Sequence, residues 1–239
     1  MRDLQFVSIN DNEEIVISAD CSGGIGERQS DIVCASAEKT SYYTMRVALM
    51  ELLSVGATLT SVTIHNLTGD DTWNAYQSGI QKALTELNLT DVSIGGSTES
   101  NFKLEQSALG ITLTGIVKKN KKKIRKTKED DLFAVIGTPL VGEQVLFREV
   151  EVAPLSLFLE IVNLGFVHEV VPIGSKGIRY EVEQLCVNNS LHVEQFESSI
   201  NLNSSAGPAT CFLVTYDERK HEMLKKLATP YFHTLLRKP

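Results

Sequence analysis

The chain reads as a two-part α+β protein, and three observations carry that reading. Short alternating or apolar strand-like runs interleave with amphipathic helices along all 239 residues. One dense basic segment, "KKNKKKIRKTK" at 118–128, interrupts this pattern near the middle. The runs before it order as strands, helix, strand, helix, strand, strand, while those after it alternate strand and helix. The predicted division is therefore 1–117 as a mixed sheet with helices, 118–130 as a basic linker, and 131–239 as an α/β unit.

In the first part, residues 4–9 and 14–19 ("EIVISA") form two strands joined by "NDNE". Residues 41–55 form a helix: Met45, Leu49, Leu52 and Leu53 share a face, Ser41 is placed to cap it, and Gly56 ends it. Residues 60–67 alternate like a strand. Residues 69–88 make a second helix, with Asp70 or Asp71 as cap and Trp73, Tyr76, Ile80, Leu84 and Leu87 inside. "DVSIGG" at 91–96 and "SALGITLTGIV" at 107–117 complete the part as strands. In the second part, strands at 131–137, 167–174 and 209–216 alternate with helices at 155–165, 177–189 and 217–228.

Composition excludes several classes. Hydrophobic residues make up 42% and charged residues 22%, enough apolar mass for a packed core. No apolar run reaches the length of a membrane span, and no secretory leader pattern opens the chain. Four cysteines without CxxC spacing predict reduced thiols and a cytoplasmic setting. Net charge is −7, and the basic run holds 8 of the 23 Lys and Arg, leaving 15 against all 30 acids. A body this acidic argues against nucleic-acid binding. The basic run itself reads as a solvated linker or as a phosphate-attracting rim.

The chemistry-bearing residues are carboxylates and glycines. "ISADCSGGIG" sets Asp20 at the end of a strand, directly before Gly23 and Gly24. Such a turn is either structural or a place where backbone amides reach phosphate. Asp11 sits between the first two strands, Glu51 borders the apolar stripe of the first helix, and Glu99 follows "IGGST" with Gly95, Gly96 and Thr98. Magnesium on a nucleotide needs one or two such carboxylates plus phosphate oxygens. In the second part Lys176, in "PIGSKGIRYE", precedes a helix, where a cation could offset phosphoryl charge; an exposed helix-start lysine is the plainer reading. Walker A, GxGxxG, GxSxG and HExxH patterns are absent.

In this order the motifs resemble the ATP-binding superfamily of aminoimidazole ribonucleotide synthetase, thiamine-monophosphate kinase and selenophosphate synthetase. "IVISAD" looks like the family strand ending in a metal-binding aspartate, "MELLSVGA" like its acidic helix, and "IGGSTES" like its phosphate loop. "DLFAVIG", "GSKGI" and "SAGPATCFLV" look like the start, middle and end of its second domain. The resemblance implies a two-domain aminoimidazole ribonucleotide synthetase-like fold, pairing of first domains into a homodimer, ATP and Mg²⁺ as cofactors, and phosphoryl transfer to a small-molecule hydroxyl. It assigns Asp20, Glu51, Glu99 and Asp11 to metal, and Gly23, Gly24, Gly95, Gly96 and Thr98 to nucleotide. Lys176 and Asp20 become the catalytic candidates. Ser97 departs from the acid the family usually has there. The short second domain resembles the alpha-ribazole kinase branch, which would make the substrate a nucleoside in cobalamin lower-ligand salvage.

Overall fold

The computed structural model describes residues 4–193 and 195–237. The chain divides into two compact units between Lys122 and Lys123.

The first unit is built on a five-stranded sheet. Its strands are β1 (Leu4–Ser8), β2 (Glu13–Gly23), β5 (Thr58–Asn66), β6 (Ser93–Thr98) and β7 (Ala108–Lys118), in the spatial order β1-β2-β7-β5-β6. All neighbours are antiparallel except β5 and β6, which are parallel because the helix α2 (Trp73–Glu86) carries the chain back between them. A two-stranded ribbon, β3 (Ile25–Gly26) with β4 (Val33–Cys34), leads into α1 (Ala37–Ser54). α1 packs on the inner face of the sheet and against α2. The alternation predicted for 60–67 is realised: Leu59, Val62 and Ile64 are buried while Thr63 and His65 face outward. The outer face of the sheet carries no helix of this unit. It presents Val7, Ile15, Ile17 and Ile116 among threonines.

Helix ends differ from expectation. α1 starts at Ala37, capped by Ser36, whose Oγ accepts the Lys39 amide at 3.2 Å. Ser41, the predicted cap, is fully buried and donates to the Glu38 carbonyl. It lies under Gly79 of α2, where a Cβ would come within 2.1 Å of the Glu38 carbonyl oxygen. Small residues here let the two helices cross closely, and a serine in an apolar pattern looks the same as a cap in sequence. Asp70 and Asp71 form a 3-10 turn ahead of α2 and make no side-chain cap bond to it. Gly56 ends α1 as predicted, at φ 81°.

The second unit holds the strands β8 (Leu132–Ile136), β9 (Val167–Pro172), β10 (Phe196–Glu197), β11 (Phe212–Tyr216) and β12 (Phe232–Arg237), in the order β10-β12-β8-β11-β9. Helices α4 (Leu155–Val162), α5 (Gly177–Asn188) and α6 (His221–Ala228) match predictions, and a short α3 (Glu143–Phe147) was not foreseen. Every strand pair is antiparallel, which corrects the α/β assignment. β11 decides this, because it runs antiparallel to both β8 and β9; β12, which the predicted set lacked, adds a further antiparallel pair on the other side of β8. β11 is buried along its whole length, so it shows the continuous apolar run that sequence reasoning associates with parallel sheets. On one face Val182, Leu185 and Cys186 of α5 pack over Phe133, Val135 and Leu213. On the other, Phe158 of α4 meets Phe212 edge-on at 5.2 Å.

The basic segment is tied down within each unit rather than left as a solvated linker. Lys118 ends β7, and Lys119 Nζ donates to Ser8 Oγ and the Asn10 carbonyl, both at 2.8 Å. Lys122 pairs with Glu14 and lies 4.2 Å over the Phe6 ring. In the second unit Lys123 donates to the Val162 carbonyl. Buried Glu169 receives the Arg125 amide at 2.9 Å, the Thr127 hydroxyl at 2.7 Å and Asn189 Nδ2 at 2.5 Å. All four cysteines are free; Cys186 and Cys211 are buried. No helix is long and apolar enough to cross a membrane.

Candidate functional site

The strand ends of the first unit gather most of the predicted residues at one end of one sheet. Register pairs Asp20 with Ile111, Ile111 with Ile64 and Ile64 with Gly96, a single row across four strands. The next row on the same face toward that end is Ser22, Leu109, Asn66 and Thr98, and Gly23 pairs with Ala108 beyond it. Three strand spacings put Asp20 and Gly96 about 14 Å apart. That separation is too wide for one metal shell and suits the length of a metal-bound polyphosphate. β6 is the edge strand, so alternate backbone amides face away from β5, as an anion requires. At Gly96 a Cβ would come within 2.2 Å of the Ile64 carbonyl oxygen, so only glycine fits there. Gly95 has open space beside it.

Glu99 follows β6. Its amide donates to the Asn66 carbonyl at 2.8 Å and its carboxylate accepts the Asn101 amide at 2.7 Å. Gly24, at φ 68°, donates its amide to the Ser107 carbonyl at 2.8 Å, so this turn is knit into the fold. Asp11 lies in the β1–β2 turn, at the other end of β2. The seven residue steps from Glu13 to Asp20 span about 23 Å. Glu51 is near the far end of α1. Its neighbour Leu52 packs at Gly115, which faces Val16, about 13 Å before Asp20 along the strand. Asp11 and Glu51 are thus not brought to Asp20 within this unit. Lys176 belongs to the second unit; it precedes α5, donates to Tyr180 Oη at 3.2 Å and lies 4.4 Å over that ring. Among the described residues, no three His, Cys, Asp or Glu side chains cluster as a metal site.

The structure adds polar residues that the sequence reading missed. Asn66 ties the end together: Nδ2 donates to the Gly69 carbonyl at 2.8 Å and to Thr98 Oγ1 at 3.3 Å, while Oδ1 accepts the Thr68 amide at 2.9 Å. Thr68 Oγ1 meets Tyr76 Oη at 2.7 Å. Asp31 accepts the Ser107 amide, the Ser107 hydroxyl and the Arg28 amide, each at 2.7 Å. Partial burial pushes the Asp31 carboxyl up, and these donors outweigh it, so the net shift is down. Arg28 donates to Asp71 at 2.6 Å and to the Thr68 carbonyl at 2.9 Å. The hydrogen bond and charge of Asp71 raise the guanidinium further, and Arg28 in turn lowers Asp71. Between these groups lies a cleft of ≈ 130 Å³ bordered by Glu27, Arg28, Asp71, Thr72, Tyr76 and Ser107. Some of these partners are neighbours in sequence, as Arg28 and Asp31 are, but the pairs that close the cleft are not. Arg28 and Asp71 are 43 residues apart, and Asp31 and Ser107 are 76 apart, so no local pattern announces them.

Comparison with solved structures identifies the architecture. The fold is that of the thiamine-monophosphate kinases. The chain matches the enzyme from Aquifex aeolicus with TM-score 0.67 and 12% identity, over 99% of this chain and 88% of that one. AaThiL complexed with AMPPCP and TMP matches with TM-score 0.65 and 14% identity, over 99% of this chain and 84% of that one. Thermotoga maritima PurL complexed with AMPPCP matches with TM-score 0.66 and 12% identity, over 98% of this chain; the chain spans 42% of that protein's length. At these identities the likeness is one of fold. No family model and no curated relative matches the sequence.

Proposed function

We propose that this protein is an ATP- and Mg²⁺-dependent small-molecule kinase, and that its acceptor is a nucleoside, with alpha-ribazole the specific candidate. The observation that carries the reading is the fold shared with thiamine-monophosphate kinase over nearly the whole of both chains. The sheet end supports it. One carboxylate, Asp20, fits a magnesium ion that draws its other oxygens from phosphate and water, while Glu99 lies across the sheet, toward the far end of the polyphosphate. Bound Mg-ATP would supply the phosphoryl group. The chain's own part is to hold it: edge-strand amides around Gly96 and Thr98 take phosphate oxygens, and Lys176 offsets charge. Positioning and electrostatics dominate such transfers, so no covalent nucleophile is required. Homodimerisation belongs to the same proposal. The helix-free outer face, with Val7, Ile15, Ile17 and Ile116, is the surface a second copy would cover, and a cytoplasmic setting suits free cysteines. A non-catalytic ligand-binding role is the second reading, favoured by Ser97 and by the sparse carboxylates.

The test is a thermal-shift titration with Mg-ATP, followed by ATP turnover with a nucleoside panel that includes alpha-ribazole. Ligand at 100 times its Kd stabilises by about 2.7 kcal/mol. The expected result is a shift in the native protein, a reduced shift in Asp20→Asn, and a phosphorylated nucleoside as product. No shift in either protein refutes the proposal; a shift without turnover supports the binding role.

A further inference from the structure

The cleft between Glu27, Arg28, Asp71, Thr72, Tyr76 and Ser107 has a charge pattern that selects its ligand. Two carboxylates border it, so a phosphate would meet repulsion. Arg28 borders it too, so a metal ion would meet a fixed positive charge. What remains is a neutral group rich in hydroxyls, which can donate to carboxylates and accept from a guanidinium at once. The atoms are placed for this. Asp71 engages Arg28 through Oδ1 and Glu27 engages the Ala37 amide through Oε2, so each carboxylate has a second oxygen to offer. Arg28 Nε is buried and has no hydrogen-bond partner among the described residues, a donor still waiting for an acceptor. Thr68 and Tyr76 hydroxyls lie at the floor, bonded to each other, and Ala37 and Ala75 supply apolar wall for ring carbons. At ≈ 130 Å³ the cleft has room for a five-membered sugar ring.

We infer that this cleft is a subsite for a furanose ring, held by Glu27 and Asp71 through a vicinal diol and by Arg28 through a ring or hydroxyl oxygen. The inference rests on the nucleoside-kinase reading for its role, since it names where the acceptor's sugar sits, but the binding itself needs no ATP. Asn66 joins the two places physically, bonding Thr98 on the phosphate strand and Thr68 in the cleft wall.

The probe is methyl β-D-ribofuranoside, which has neither base nor phosphate, titrated into the full chain and followed by amide NMR shifts. Saturable shifts at Thr68, Thr72 and Tyr76 are expected. Asp71→Asn and Glu27→Gln should each weaken binding about tenfold with an unchanged melting temperature, and the 2,3-dideoxy riboside should fail to bind. Asp20→Asn should bind the riboside like the native protein while losing the Mg-ATP response, so the two readings fail separately. Absence of saturable shifts, or equal affinity in native, Asp71→Asn and Glu27→Gln proteins, overturns the inference.

Discussion

The two units place their carboxylates differently. In the first, Asp31 and Asp71 lie at one solvent-reached end of a sheet, and Asp71 of the Arg28 pair is 64% exposed. In the second, two carboxylates are driven into the core: Glu169 and Asp131 are each 3% exposed, and Glu169 anchors the incoming chain at Arg125 and Thr127. A carboxylate at a wet edge remains available to a ligand. A carboxylate sealed under its own chain serves the fold. This contrast is why the candidate chemistry falls in the first unit, although the second has as many acids.

The contrast predicts unequal costs. The largest is Glu169→Ala, which takes the acceptor from the Arg125 amide and one of two partners each from the Thr127 amide and hydroxyl and from Asn189 Nδ2. It should lower unfolding free energy by about 2–3 kcal/mol in a denaturant titration. A loss below about 1 kcal/mol would erase the distinction between the units. Next, Gly79→Ala forces apart α1 and α2 at their crossing, with an expected cost of about 1–3 kcal/mol in the same titration. Asp31 comes third and sharpens the comparison through pH. Its folded pKa is lowered, so its contribution is present above the ordinary carboxylate range and is lost as pH falls through the folded value. Asp31→Asn should flatten the acid side of the stability-versus-pH curve and leave its neutral side parallel to native. The smallest effect belongs to Asp71→Asn, under about 1 kcal/mol because Asp71 is largely exposed, although the same substitution should weaken the cleft's hold on its ligand about tenfold.

Much of the fold is legible in the sequence because its cause is local. The alternation around Val62 and Ile64 and the stop at Gly56 follow from side-chain period and backbone freedom. Of the candidate site, Asp20, Gly96 and Thr98 can be picked out because each sits beside a strand end or a glycine. Errors arose where one local signal has two causes. Ser41 reads as a cap and is a buried contact for Gly79; Asp70 and Asp71 read as caps, and Asp71 is the partner of Arg28. β12 escaped although Pro230 separates it from α6, because "YFHTLLR" shows no period-2 alternation of apolar and polar residues.

The sequence by itself determined most of the strands and helices, and which end of which strand carries an acid beside glycine. Those are short-range properties, set by what each residue prefers next to its neighbours. Only the tertiary structure decided that the second sheet is antiparallel, that Asp11 and Asp20 lie at opposite ends of β2, and that Arg28, Asp71, Tyr76 and Ser107 border one cleft. Those depend on contacts between residues far apart in the chain, such as Asp31 and Ser107, 76 positions apart, and chain-distant contacts leave no periodic trace in a single sequence.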